Sequence, residues 1–215
     1  MMNQPYGALT VDTTLMRPEV LARITGISKP HILSALAASR LLHDELAACI
    51  NSRLPPLPRN IPLAQQRNYE LFSQLSAAQF HLIARRITLL INRQAILMTT
   101  AGQQLKMLSE WVGDEAFLRR VIRSHTVPLA TVSPLSNLDN DLLDSFNELV
   151  LGLLLGLLHP AHRARFVMML GEDKLPEAEI LHDGDMANFL EILRQAWPTA
   201  EQTDEEEDDD GSSQS

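Results

Sequence analysis

Histidine, cysteine, acidic and arginine side chains set the range of chemistry open to this chain, and their spacing decides among the options. His159 and His162 are the closest pair among seven histidines. Zinc normally takes three or four protein ligands, and the flanking chain supplies no third. With Pro160 opening a helix between them, they read as helix-end histidines in water. Cys49 is the single cysteine, so no intramolecular disulfide can form, which agrees with a reducing compartment. A thiolate nucleophile needs an activating base. Ala47, Ala48 and Ile50 surround Cys49 instead, and a small buried apolar residue is the expectation. Glu172 and Asp173 follow Gly171 in a polar turn and read as solvated rather than paired for acid–base work. Gly-rich phosphate loops, GxSxG elbows and HExxH zinc motifs do not occur. No catalytic residue, cofactor or metal is assigned, and the chain is expected not to be an enzyme.

What remains is charge arranged for contact. Arg85, Arg86 and Arg93 fall on one helical stretch, and Arg119, Arg120 and Arg123 on another that follows Gly113. Solvated helix faces explain most such groups. The functional alternative is docking of an acidic partner, which makes these six the candidate partner-binding residues. A competitor lies within the chain, because eight of its 27 acids stand between Glu201 and Asp210, where they can fold back and mask the arginines. The other 19 acids nearly balance 18 Lys and Arg, so the net charge of −9 belongs to a tail. A nucleic-acid footprint is not expected of so neutral a body. Leu21 to Leu36 (LARITGISKPHILSAL) nevertheless has the rhythm of a helix-turn-helix. Its second helix offers Lys29, His31 and Arg40 to phosphates before running into Asp44 and Glu45, and the segment serves equally as a helical hairpin.

Helices must carry these groups. At 215 residues and 45% hydrophobic, the chain can bury its own core. Leu, Ala and Ile dominate, aromatics are 5% and there are 9 Gly, a composition of helix formers. An all-α, irregular bundle of about eight helices is expected. An N-terminal helical hairpin occupies 1–53: Gly26 stops a short helix, Ser28 caps the next, and Pro30 sits in its first turn. Ile32, Leu36, Leu42, Leu46 and Ile50 then repeat near a helical period. Residues 54–62 (LPPLPRNIP) form a stiff proline-rich linker, with an SH3-type ligand as the alternative.

A helical core domain follows over 63–197. Ala64 to Leu75 is its first helix, and Ser76 with Gln79 makes a capping box for the next. Phe80, Ile83, Ile87, Leu90, Ile91 and Leu97 then mark a central helix, with Leu82, Leu89 and Ile96 as a second stripe. Gly102 interrupts, and Gly113 with Asp114 ends one helix and caps another. Thr126 to Asn137 is a second linker, in which Leu129 to Val132 can pair as a short strand. Helices return from Leu138 to Leu158, Pro160 to Leu170 and Asp185 to Trp197.

The apolar run Leu149 to Leu158 is too short to span a membrane, which takes about 20 residues. It reads as a buried core helix, with Gly152 and Gly156 letting a neighbouring backbone approach. The amino terminus has neither a basic start nor an apolar run, and a cytoplasmic location is expected. Residues 198–215 form an acidic tail expected to be disordered.

From Leu75 to about Leu129 the order of features is more specific. Leu75, Ser76, Ala77 and Ala78 open a helix bearing Ile83, Ala84, Arg85, Arg86 and Ile87; Leu105, Leu108 and Gly113 follow, then Leu118, Arg119 and Arg120. This resembles the SctK (YscK-like) family of type III secretion accessory proteins over about a quarter of the chain. The resemblance implies an adaptor of the cytosolic sorting platform, bridging the inner-membrane ring protein and the pod scaffold protein. It implies no catalysis or cofactor, and attachment to the membrane only through partners. A helix-turn-helix regulator and a secretion chaperone are the alternatives.

Overall fold

The computed structural model describes residues 18–39, 43–53, 56, 58, 60–99, 101–171 and 175–197. Every regular element among them is helical: α1 (Pro18–Thr25), α2 (Pro30–Ala38), α3 (His43–Arg53), α4 (Leu63–Phe72), α5 (Ala77–Ile91), α6 (Arg93–Met98), α7 (Gly102–Val112), α8 (Glu115–Arg123), α9 (Asn140–Gly156), α10 (Pro160–Leu170) and α11 (Met186–Ala196), with a 3-10 turn at Asp183–Asp185. The all-α expectation holds. The acidic tail, Arg40, Leu42, Glu172 and Asp173 lie outside the described residues.

Local chemistry explains several helix ends. Ser76 accepts from the Gln79 N–H while the Gln79 side chain accepts from the Ser76 N–H, completing the capping box of α5. Gly113 closes α7 in the left-handed region at φ 71°, where a Cβ is strained, and the Asp114 carboxylate accepts from the Phe117 N–H to open α8. Asp139 opens α9 in the same way, through the Leu142 N–H.

The bundle exceeds eight helices because two breaks divide expected single helices. Ser39 turns to extended backbone (ψ 112°) and ends α2, so the spacing from Ile32 to Ile50 does not describe one continuous face. Within α2 itself the buried position is Leu33, while Ile32 is 38% exposed. The N-cap of α2 is Lys29, without a side-chain bond, rather than Ser28. The second break is at Asn92, a fully buried residue. Its amide donates to the Thr88 carbonyl (2.9 Å) and its Oδ1 accepts from the Leu135 N–H (2.6 Å). Arg93 therefore lies on α6, past the end of the central helix.

α5 is the central element, buried along Phe80, Ile83, Ile87 and Leu90, and it packs against α9 and α11. One core cluster extends from α4 to α11. A second joins Leu21, Ile24, Leu33 and Leu46 of α1–α3 to Met169 of α10. Leu129 to Val132 forms no strand. The Asp185 carboxylate accepts from the Ala130 N–H (2.9 Å), the Thr131 N–H (2.6 Å) and the Thr131 hydroxyl (2.5 Å), so a side chain satisfies this backbone where a strand partner would have done.

The expected close approach at Gly152 and Gly156 is present, and the incoming backbone is the non-helical segment 175–182. The Glu179 N–H donates to the Gly152 carbonyl at 2.9 Å. A Cβ on Gly156 would stand 1.9 Å from the Glu179 carbonyl oxygen, and one on Gly152 would stand 2.7 Å from that of Glu177. α9, which carries the Leu149–Leu158 run, has 17 residues. No described helix is long and apolar enough to cross a membrane.

Gly156→Ala should therefore lower stability by about 1–3 kcal/mol, the usual cost of overpacking. Gly102→Ala is the control, since a Cβ there meets nothing within 4 Å. It should be neutral or gain up to about 1 kcal/mol. Urea unfolding of the three proteins checks the pair, and equal midpoints for Gly156→Ala and the parent would refute the contact.

Candidate functional site

Each helix ends with carbonyl groups that have no partner inside it. Four of the six arginines singled out by spacing serve this need. Arg85 Nη1 donates to the Trp111 carbonyl at the end of α7 (3.0 Å). Arg93 donates through Nε to Val121 (3.1 Å) and through Nη2 to Ile122 (3.0 Å), near the end of α8. Arg86 and Arg120 converge on the end of α11, donating to the carbonyls of Ala196 and Gln195, each at 3.3 Å.

Arg86 is thereby removed from the candidate binding residues. It is 5% exposed, its Nη2 meets Asp114 Oδ2 at 2.6 Å, and its guanidinium lies 4.9 Å from the Phe117 ring centroid. The ion pair and the α11 carbonyl hold it inside, where no partner reaches it. The other five reach the surface to different degrees. Arg93 and Arg120 are half-buried, while Arg85, Arg119 and Arg123 are exposed. Arg119 pairs with Glu115 one turn earlier (2.6 Å), and Arg123 has no ion pair among the described residues.

Among the described residues two depressions compete as sites. A 610 Å³ groove between α6, α7 and residues 134–138 has no charged side chain in its lining, so it offers little to select a polar ligand. A cleft of 330 Å³ between α8 and α11 does carry charge. Trp197 supplies apolar surface there, Phe117 is buried in the wall, and Arg120, His125 and Arg194 supply basic groups. The Arg120 guanidinium sits 4.8 Å from the Phe117 ring centroid and is further fixed by the Gln195 carbonyl. Burial pulls its pKa down, and the neighbouring charge of Arg86 adds to this. Arg194 is paired with Glu191, whose carboxyl is held down to about 2 by hydrogen bonds from Arg194 and Gln195. Arg123 is three residues from Arg120 and four from Arg119, which places all three on one helical sector beside the cleft.

The chain matches no family model, no curated protein and no solved structure.

Sequence spacing missed Arg194, His125 and Trp197 as parts of this cleft. Arg194 sits on α11, far along the chain from α8, and only the fold brings the two ends together. A basic residue in the last turn of α11 was the one local signal. Spacing also misplaced His162. It is 1% exposed and stacked on Tyr69 at 4.2 Å, so it is a core histidine rather than a helix end in water. His159 caps α10 through Nδ1, which accepts from the Ala161 N–H. Among the described residues no group of three or more His, Cys, Asp or Glu is placed to hold a metal. Cys49 is half-buried rather than buried.

Asp114→Ala strands the Arg86 charge and removes the α8 cap, and should cost about 3–5 kcal/mol. Asp114→Asn keeps a cap acceptor and should recover about 1 kcal/mol of that loss. Denaturant midpoints at constant slope measure both, and a loss within error of zero for Asp114→Ala would disprove the pairing. Burial, and secondarily the charge of His159, lowers the His162 pKa; the Gln65 backbone hydrogen bond and Glu70 oppose this, and Arg165 adds to the lowering. The unfolded chain then takes up a proton first, so stability contributed by neutral His162 is lost as pH falls below about 6.5. His162→Phe keeps a ring against Tyr69 and should lose less stability than the parent between about pH 7 and about pH 5. Parallel pH profiles for the two proteins would rule this out.

Proposed function

We propose that the chain is a non-catalytic adaptor that holds an acidic segment of a protein partner in the cleft between α8 and α11. The observation carrying this is the bracing of Arg120. A guanidinium already fixed against Phe117 and the Gln195 carbonyl loses little freedom when it meets a carboxylate, and its planar fork suits two-point contact. Apolar surface from the half-buried Trp197 adds desolvation around that charge. Arg123 and Arg119 on the adjoining sector extend the positive field that attracts an acidic segment.

The assembly is proposed to be the cytosolic sorting platform of type III secretion, as the likeness of Leu75 to Leu129 to the SctK family implies. The partners are then the inner-membrane ring protein and the pod scaffold, with attachment at the membrane made through them and no cofactor required. A helix-turn-helix regulator is the second reading. It is favoured by α1 and α2 meeting across Gly26 at φ 75° with Leu21, Ile24 and Leu33 in one cluster. Its charge is poor, since the described exposed residues of α2 are His31, Ile32, Ser34, Ala35 and Ala38.

Binding of the purified chain to the cytosolic part of the ring protein and to the pod scaffold tests the adaptor. Arg120→Ala combined with Arg123→Glu should weaken one of the two interactions by about tenfold or more at low salt, with the difference shrinking as salt rises. Binding to neither partner would sink the sorting-platform assignment, and retention on duplex DNA at moderate salt would put the regulator in its place.

A further inference from the structure

We infer that the cleft between α8 and α11 has an occupant within the chain itself, the acidic segment Glu201–Asp210, which competes there with the partner. The inference rests on the reading of the cleft as a receiver of acidic segments, and adds to it a device that regulates access. Three observations carry it.

The first is proximity along the chain. Trp197 lines the cleft, and the acidic segment follows it closely in sequence. Glu201 is four residues beyond Trp197, a reach of about 14 Å, and Asp204 to Asp210 fall within about 25–45 Å at full extension. The cleft and the α8 sector beside it are therefore within range without any rearrangement of the core.

Charge is the second. Arg120, His125 and Arg194 line the cleft, and Arg119 and Arg123 adjoin it. Among the described residues only Glu115 and Glu191 pair with these arginines, both as exposed pairs on a helix face. Such pairs are weak and open to exchange for another carboxylate. The acidic segment offers eight carboxylates in ten residues.

The third is concentration. A segment tethered next to its site is present at an effective concentration of about millimolar. Even a weak contact is then substantially occupied, and an outside acidic ligand must displace it. The expected size is a three- to tenfold loss of apparent affinity for that ligand, roughly what a tethered competitor with a dissociation constant of a few tenths of millimolar produces.

The test uses the full chain and a free peptide of the sequence Glu201–Asp210 as probe. Its Kd is measured by fluorescence anisotropy for the native chain and for a full-length variant in which all eight acids of the segment are changed to their amides. Expected is a gain of about three- to tenfold in the amide variant, abolished when Arg120→Ala and Arg123→Ala are added. Because removing negative charge alone can aid an acidic probe, contact is read separately by zero-length carbodiimide coupling. With Arg123→Lys, an amide should form between position 123 and the segment in several-fold higher yield than at the native Lys29 or Lys106, within monomers. Equal yields at the three positions, or coupling only between copies, overturn the inference while probe binding leaves the adaptor reading standing. A probe that binds neither protein overturns both.

Discussion

A helix leaves four carbonyl groups at its end without an internal partner, and a bundle of many short helices multiplies that deficit. Arginine side chains meet much of it here. Arg53 reaches the Ile24 carbonyl at the end of α1, Arg163 reaches those of Leu155 and Leu158 at the end of α9, and Arg85, Arg93, Arg86 and Arg120 serve α7, α8 and α11. The positive charge sits where the helix dipole favours it, and the long stem packs on apolar surface on the way. Many positions of arginine in this sequence thus answer to helix ends that lie far away along the chain.

The same economy governs the non-helical segments. Residues 124–139 and 175–182 have no strand to pair with, yet Leu129, Val132, Leu138 and Leu181 are buried. Their backbone groups are satisfied by a few polar residues turned inward. Asn92 takes the Leu135 N–H, Asp185 takes those of Ala130 and Thr131, and the Gly152 carbonyl takes that of Glu179. Hydrogen bonds from Thr131 and Ala130 hold the Asp185 carboxyl below its usual range, so the anchor favours the charged form. The two connections are therefore pinned onto the core by a few buried side chains and these hydrogen bonds.

Several features encoded within a few residues were legible in the sequence, although the cap read at Ser28 falls at Lys29 instead. The Ser76–Gln79 box, the Gly113–Asp114 junction, Pro160 at the start of α10 and the small pair Gly152 and Gly156 each carry their reason in a local motif, and each behaves as its chemistry requires. Features that depend on a distant partner were not legible. Asn92 looks like any polar residue in a helical run until Leu135 arrives to use its carbonyl oxygen. His162 looks like a helix end until Tyr69 of α4 covers it. Arg86 has the same spacing as its exposed neighbour Arg85, and only the packing of Asp114 and the end of α11 separates a buried cap from a surface charge.

Structural duty and recognition are compatible in one arginine, and the cleft turns on that point. A guanidinium has five N–H donors. Arg86 spends its charge on Asp114 and its reach on Ala196, and burial closes the rest to other molecules. Arg120 gives one Nη2 contact to Gln195 and one face to Phe117, but it lies half-exposed in a cleft. Its cap fixes the plane of the group without using up its charge. Both arginines converge on the end of α11, so α11 depends on the pair for closure, while only the outer one remains able to meet a carboxylate from another source. A helix terminus that needs two cations to finish it thus leaves one of them at the surface, held in a fixed orientation before any ligand arrives.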